Sequence, residues 1–350
     1  MSTDTPVVIR PSFYCPLPAS ASHPAAAEID HEAVSWLYRM RLGASDEHRR
    51  QLARANFGLL SALATPDGIT ERVQWAADFL YWGFALDDAR DEAGRPERLQ
   101  DVVVQVNKMQ RILEVPDTTL LSGEPLADGL RLLQHRFISF ATPTQVRRYQ
   151  EGMRTYYFSV LWEITSRNSG AVLSLDEYSA MRMKSAGHPP MTAMLEAING
   201  YALADRDLDS PAVRALTEMN WLLVAWDNDL YSYGKEAGKY RNGNNLVDVL
   251  AMTQGLSAQE AMDEALRLRD RVLCLFLKLQ RRLLADAGLA LSRYIVDLGI
   301  WIRANIEWGT SSARYTGSTA GSPGVWAEQP HDSDPSPLDL PSIRWWWTVY

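Results

Sequence analysis

Residues 71–92 read ERVQWAADFLYWGFALDDARDE. Apolar side chains recur there at three- and four-residue spacing, the period of a helix. The character changes at residue 84, where FALDDARDE sets Asp87, Asp88, Asp91 and Glu92 directly behind the apolar run, with Gly94 soon after. At about 100° per residue these four fall near 0°, 100°, 40° and 140°, so four carboxylates share less than half of the helix circumference. Arg90 is the only cation within the run. Such a cluster repels itself unless a cation sits between its members. Mg²⁺ answers that need, because it takes a few carboxylate oxygens, keeps several waters and completes its octahedron with substrate phosphate. A solvated helix end has the same composition, and the run alone does not separate the two.

Outward from this stretch the pattern stays helical. Residues 30–42, 144–167, 212–236, 257–286 and 288–314 repeat the three- and four-residue spacing, as in Ala261, Ala265, Leu268, Val272, Leu275 and Leu279. Breakers fall between them at Pro66-Asp67-Gly68, Gly94-Arg95-Pro96, Pro116, Pro143, Asn168-Ser169-Gly170, Pro189-Pro190 and Asn242-Gly243. No segment alternates with period two for long enough to suggest a sheet, and no repeat of 20–50 residues is evident. The expected fold is all-α, a single-domain helical bundle over residues 28–315. Residues 1–27, rich in Pro, Ser and Ala, read as an extended N-terminal arm. Residues 316–350 read as a disordered C-terminal tail, because 316–342 is dominated by Gly, Ser, Pro and Asp. Its last eight residues, IRWWWTVY, are oddly aromatic for such a tail.

Bulk composition narrows the classes. The 350 residues are 46% hydrophobic and 22% charged, enough for a sizeable core. A net charge of −8 without a Lys/Arg block argues against nucleic acid and against an anionic membrane surface as partners. No apolar run approaches the ~20 residues needed to cross a bilayer. Two cysteines, Cys15 and Cys274, make no disulfide framework, and the N-terminus lacks the apolar core of a signal peptide. A cytoplasmic location is expected, and a homodimer is left open.

A second polar constellation lies in residues 226–236, WDNDLYSYGKE. Asn228, Ser232 and Glu236 step by four, about 40° of rotation each, so an amide oxygen, a hydroxyl and a carboxylate stack along one stripe about 12 Å long. These hard oxygen donors suit one Mg²⁺. Lys235 shares that face and suits a phosphate oxygen, whereas Asp229 lies off the stripe. Two further pieces bear on phosphate. Arg182 lies 46 residues before Asn228 in YSAMRMKSAGHPP, where Ala, Gly and two prolines predict a helix break just after the arginine. Arg314-Tyr315 closes the helical region with a guanidinium and a phenol, both able to donate to phosphate oxygens.

Together and in this order, these pieces resemble bacterial class I terpene synthases. The aspartate-rich motif of that family is similar to Asp87-Asp88-Ala89-Arg90-Asp91, extended here by Glu92. Its Asn/Ser/Glu motif is similar to Asn228, Ser232 and Glu236 with Lys235, its pyrophosphate-sensing arginine to Arg182, and its terminal pair to Arg314-Tyr315. The resemblance spans about residues 10–315 and extends to the proline-bearing arm and to Trp36. It implies a helical bundle around a deep apolar cavity, with the arm capping the site. It also implies three Mg²⁺ ions held by Asp87, Asp88, Asp91, Glu92, Asn228, Ser232 and Glu236, with Asp87 the direct ligand of the first motif. Arg182, Lys235, Arg314 and Tyr315 would grip the diphosphate. Ser185 and Ala186 match positions where a main-chain carbonyl assists ionisation. Phe84, Gly83 and Trp308 match cavity-lining positions, with Gly83 standing where many sesquiterpene synthases carry an aromatic. The implied activity is ionisation of farnesyl or geranylgeranyl diphosphate followed by cyclisation of the cation. A prenyl chain-elongating synthase would carry two aspartate-rich motifs. A non-enzymatic helical binding protein would leave both motifs solvated.

Overall fold

The computed structural model describes residues 11–91, 98–236, 245–316 and 325–349, with the side chains of Asp91, Lys235, Glu236, Thr316 and Val325 outside the description. Glu92 lies outside the described residues. In chain order the elements are β1 (Ser12–Tyr14), α1 (Ala26–Arg39), α2 (Asp46–Ala53), α3 (Phe57–Ala64), α4 (Thr70–Asp91), α5 (Leu99–Glu114), α6 (Pro125–Phe140) and α7 (Pro143–Ser169). There follow α8 (Leu175–Ser185), α9 (His188–Ile198), α10 (Asp205–Leu208), α11 (Pro211–Glu236), α12 (Leu246–Gln254), α13 (Ala258–Asp286), α14 (Leu289–Ser311), α15 (Ala313–Thr316) and β2 (Val325–Ala327). A 3-10 turn, Arg344–Thr348, comes last. The all-α expectation holds.

The helix ends follow from local chemistry. α7, α8 and α13 each open on a reciprocal capping box: Thr142 with Gln145, Ser174 with Glu177, and Ser257 with Glu260. Gly170 closes α7 in the left-handed region at φ 66°, which glycine adopts without steric cost. α4 has no single apolar stripe. Trp75, Phe79, Leu80, Tyr81, Trp82, Ala85 and Leu86 are all buried, so it runs through the core and carries the acidic cluster out at its C-terminal end. α11 is the other central helix, packed against α8, α13 and α14. Among the described residues no helix is long and apolar enough to cross a membrane.

The helix expected to run to residue 314 instead stops at Ser311. Ser312 leaves the helix and donates its hydroxyl to the Ala55 carbonyl at 2.9 Å, and the chain re-enters as α15 with Arg314 in it.

The expectation of a disordered tail is overturned for residues 325–349. β2 pairs in parallel with β1, Phe13 opposite Trp326, so the two ends of the chain form one small sheet. Leu338, Leu340, Ile343 and Trp346 are buried, and the Trp346 indole donates to Glu218 at 3.1 Å. Arg214 lies 5.1 Å from the Trp345 ring centre, and Ser342 donates both its backbone N–H and its hydroxyl to Asp176. Averaged over the tail, composition hides these few anchors, and burial of several large side chains outweighs the polar residues between them.

A fully buried ionic cluster ties this sheet to the central helices. Arg269 of α13 donates from Nε and Nη2 to Asp227 of α11 at 2.7 and 3.3 Å, and from Nη1 to Asp270 at 2.8 Å and to the Tyr14 carbonyl. Asp270 also accepts from the His331 backbone and ring N–H at 2.8 and 2.7 Å. The guanidinium carbon lies 5.7 Å from the Phe13 ring centre.

In the N-terminal half of α14, well away from Arg314, Asp297 accepts from Tyr201 Oη at 2.7 Å and Asn199 Nδ2 at 2.8 Å, both on one oxygen. Burial raises its carboxyl to about 6 against these two hydrogen bonds. The folded state therefore holds this proton more tightly than the unfolded chain. Its contribution to stability is fully present below the ordinary carboxylate range near pH 3.9 and is lost as pH rises through 6. Asp297→Asn keeps an oxygen for both donors and removes the charge. Relative to the parent it should gain on the order of 2 kcal/mol between pH 4 and 7.5, checked by urea unfolding of both proteins at the two pH values.

Candidate active site

Two helix ends and one helix break converge here, joined by Arg314 and Tyr315 of α15. The first is the C-terminal end of α4. Asp87 is exposed there, while Asp88 turns inward. Arg314 grips the Asp88 carboxylate in bidentate fashion, Nη1 to Oδ2 at 3.0 Å and Nη2 to Oδ1 at 2.5 Å. His48 of α2 lies 3.0 Å from the same Oδ2 through Nε2. Its Nδ1 accepts the Ala44 backbone N–H at 3.2 Å, so the ring proton sits on Nε2 and is donated to Asp88. Burial would lower the Arg314 pKa, but Asp88 more than offsets it and holds the guanidinium firmly charged. Arg90, the lone cation of the acidic run, is buried and donates to Tyr156 of α7 at 3.3 Å.

The second end belongs to α11. Asn228 accepts from Arg182 Nη2 at 2.9 Å through its amide oxygen. Its Nδ2 donates to Tyr231 at 3.0 Å and to Tyr315 at 3.2 Å. Asp229, off the stripe as expected, is 1% exposed and works inside the bundle. It accepts from Tyr178 at 2.6 Å, from Arg182 Nε at 2.9 Å and from the Leu246 backbone at 3.2 Å. Arg182 thus spans Asn228 and Asp229. Burial works against its charge, and Asp229 raises its pKa well above the ordinary value. Ser232 is buried one turn on, its hydroxyl 3.5 Å from the Asp229 carbonyl.

The break after Arg182 falls where the sequence put it. α8 ends at Ser185, Ala186 caps it, and Gly187 turns at φ 80° before α9 starts on His188. Gly187 is needed there, because other side chains rarely adopt that φ. Among the described residues the buried Ser185 hydroxyl has no hydrogen-bond partner. Burial, with Arg182 nearby, pushes His188 down to about 3, so its ring is neutral.

Aromatic rings wall the side nearest Arg314. Phe84 stacks on Phe57 at 4.1 Å, Trp308 lies 5.4 Å from Phe57 and 5.8 Å from Phe84, and Tyr315 meets Trp308 edge-on at 5.7 Å. Trp308 is 1% exposed and its indole N–H is tied to the Ala55 carbonyl. The Arg314 guanidinium sits 4.9 Å from the Phe84 ring centre. One residue before Phe84, a Cβ on Gly83 would meet nothing within 4 Å, so that helix face borders open space.

The structure therefore brings Asp88, Arg314, Tyr315, Asn228, Arg182, Phe84 and Trp308 into one network. The side chains of Asp91, Lys235 and Glu236 lie outside the description, as does Glu92. Sequence reading missed His48, Tyr178, Tyr231 and Asn305, which accepts the Tyr231 hydroxyl at 3.0 Å. Each acts on a partner distant in sequence or through a spacing that carries no motif, so no local signal marks them.

The donor set fits a hard divalent cation. It is all oxygen: an exposed carboxylate on α4, and an amide oxygen on α11 that already faces a cation, the Arg182 guanidinium. Among the described residues no three His, Cys, Asp or Glu side chains are grouped closely enough to hold a metal by themselves. The α11 stripe, in keeping with that, supplies an amide and a hydroxyl rather than carboxylates alone.

Comparison with known proteins agrees with this geometry. Residues 78–273 match a family model described as terpene synthase family 2, C-terminal metal binding. Spiroviolene synthase of Streptomyces violens is 39% identical over 353 residues, covering 96% of each chain. Bonnadiene synthase of Allokutzneria albata is 35% identical, covering 96% of this chain and 97% of that protein. A solved structure of the SVS_A2 protein from ancestral sequence reconstruction superposes with a TM-score of 0.87 at 38% identity, over 97% of this chain and 99% of that one.

Proposed function

The chain belongs to the bacterial class I terpene synthases, lyases that act on prenyl diphosphates, and on that footing we propose that it ionises a C15 or C20 prenyl diphosphate with three Mg²⁺ ions and cyclises the resulting cation. The observation that carries this is the seating of two guanidiniums, Arg182 on Asn228 and Asp229 and Arg314 on Asp88, one at each acidic motif. Asp87 would be the direct metal ligand on α4, with Asp88, Asp91 and Glu92 supporting it, and Asn228, Ser232 and Glu236 would hold metal from α11. Mg²⁺, when bound, supplies Lewis-acid neutralisation of the leaving diphosphate.

The protein's own groups do the rest. Arg182, Lys235, Arg314 and Tyr315 donate to the diphosphate oxygens and stabilise charge as the C–O bond breaks. Main-chain carbonyls at the Ser185–Ala186 break assist at the ionising carbon. Phe84 offers a ring to the cation, worth ~1–2 kcal/mol once water is excluded, and Trp308, expected to line the cavity, is 1% exposed and packs behind Phe57 and Phe84 instead. Residues 28–315 form the catalytic unit and the N-terminal arm caps it. Both cysteines are free, which accords with the reducing cytoplasm we assign.

Incubation with Mg²⁺ and geranyl, farnesyl or geranylgeranyl diphosphate, with products read by mass spectrometry and diphosphate release, tests the assignment. A cyclic product from one substrate is expected. Intact diphosphate with all three would reject it. Open space at Gly83 favours the C20 chain. Gly83→Leu should accordingly lower the C20:C15 ratio of kcat/KM by about tenfold or more, since a filled pocket is worth ~1–3 kcal/mol per group.

A further inference from the structure

Asn228 can serve a metal only if its amide is turned the right way, because oxygen attracts the cation and NH₂ repels it. A chain of hydrogen bonds fixes that turn from the amide's nitrogen side, where Tyr315 also accepts, while Arg182, which only donates, faces the oxygen. It starts at a group with no freedom, the Val224 backbone carbonyl of α11, which only accepts. Asn305 of α14 donates to it from Nδ2 at 3.4 Å, so Asn305 must present Oδ1 on its other side. Tyr231 lies 3.0 Å from that Oδ1 and must donate to it. The Tyr231 oxygen then has a lone pair left for Asn228, and the amide must turn Nδ2 toward it, at 3.0 Å. Oδ1 of Asn228 is thereby sent the opposite way, toward Arg182 at 2.9 Å. Each step forces the next.

Tyr231 reaches this place through a gap in α14. A Cβ on Gly309 would lie 2.2 Å from Tyr231 Cε1 and 2.4 Å from Cζ, so the ring rests directly on backbone that only glycine leaves bare. Glycine inside a helix costs roughly 1 kcal/mol relative to alanine. Here that cost coincides with a ring that touches both Asn228 and Asn305.

We propose that Tyr231, seated on Gly309 and oriented by Asn305, is a positioning residue that fixes the Asn228 amide with its oxygen toward the metal. The inference rests on Asn228 being a metal ligand. Mn²⁺ binding in the presence of inorganic pyrophosphate, followed by the paramagnetic resonance of free Mn²⁺, tests it without turnover. Tyr231→Phe keeps the ring and removes the relay; Asn305→Leu removes the acceptor that orients the hydroxyl, and carries the test if the first variant folds poorly. Both should weaken Mn²⁺ binding about tenfold without lowering the melting temperature of the ligand-free protein by a comparable margin. In an Asn228→Ala background Tyr231→Phe should add nothing, the signature of residues acting as one unit. Wild-type Mn²⁺ affinity in Tyr231→Phe and Asn305→Leu, with Asn228→Ala weakened, would overturn the positioning role alone. Unchanged affinity in Asn228→Ala would overturn the metal-ligand assignment and the inference with it.

Discussion

Asp87→Ala should lower kcat/KM for the prenyl diphosphate by at least about 10³-fold, and Asp88→Asn should do less and do it differently. The two neighbours are one residue apart in a helix and about 100° apart around it. Asp87 is exposed at the rim, where a carboxylate can meet a metal and a diphosphate together. Asp88 is turned to Arg314 and His48. Removing the proposed ligand should withdraw stabilisation of charge that develops in the transition state, for which single groups are worth ~10²–10³ and a metal-holding one more. Removing the Asp88 charge loosens Arg314 instead, so the loss should show largely in KM and in affinity for inorganic pyrophosphate. Steady-state kinetics across a Mg²⁺ titration separate the two, because excess Mg²⁺ should not restore Asp87→Ala. Equal losses in kcat for both variants would mean that Asp88 is also a direct ligand and that its pairing with Arg314 is given up on binding.

What was legible in the chain was what helical periodicity carries. The 3.6-residue repeat placed Asp87 at a helix end and Asp229 off the Asn228–Ser232 stripe, and the break after Arg182 fell where Gly187 and two prolines demand it. Isolated polar residues that pair across the bundle were not legible. His48 sits in a charged run, DEHRR, that reads as solvated surface, yet it is 4% exposed because Asp88 lies 40 residues away in sequence and beside it in space. The tail failed for a related reason. Composition averages over residues, whereas docking is decided by a few large apolar side chains and by His331, which supplies two donors to one buried carboxylate.

Arg269→Met should destabilise the fold by about 3–5 kcal/mol at pH 8, the usual result of removing one partner from a buried ionic cluster. Arg269, Asp227 and Asp270 are all essentially inaccessible to water. Without the guanidinium, Asp270 keeps His331, but Asp227 loses the group that lets it ionise. Burial already lifts the Asp227 carboxyl to about 6 with Arg269 opposing that rise. With the opposition gone it should climb further, and the native state would then hold a proton through neutral pH that the unfolded chain releases near 4. Stability that the parent loses between about pH 4 and 6 would continue to drain from the variant above 6, so the gap between the two should widen from pH 6 to pH 8. Asp227→Asn added to Arg269→Met should recover much of it, since an unpaired amide costs less to bury than an unpaired carboxylate. Urea unfolding of the three proteins at pH 6 and 8 reads all of this. A deficit below about 1 kcal/mol that does not change with pH would show that the cluster is not what holds the joined ends to α11. The deficit matters beyond stability. Tyr14 and Phe13 lean on the same guanidinium that Asp227 does, and Asp227 directly precedes Asn228. One buried charge therefore registers the arm against the helix that would carry the metal, and its loss should free the arm before it unfolds the bundle.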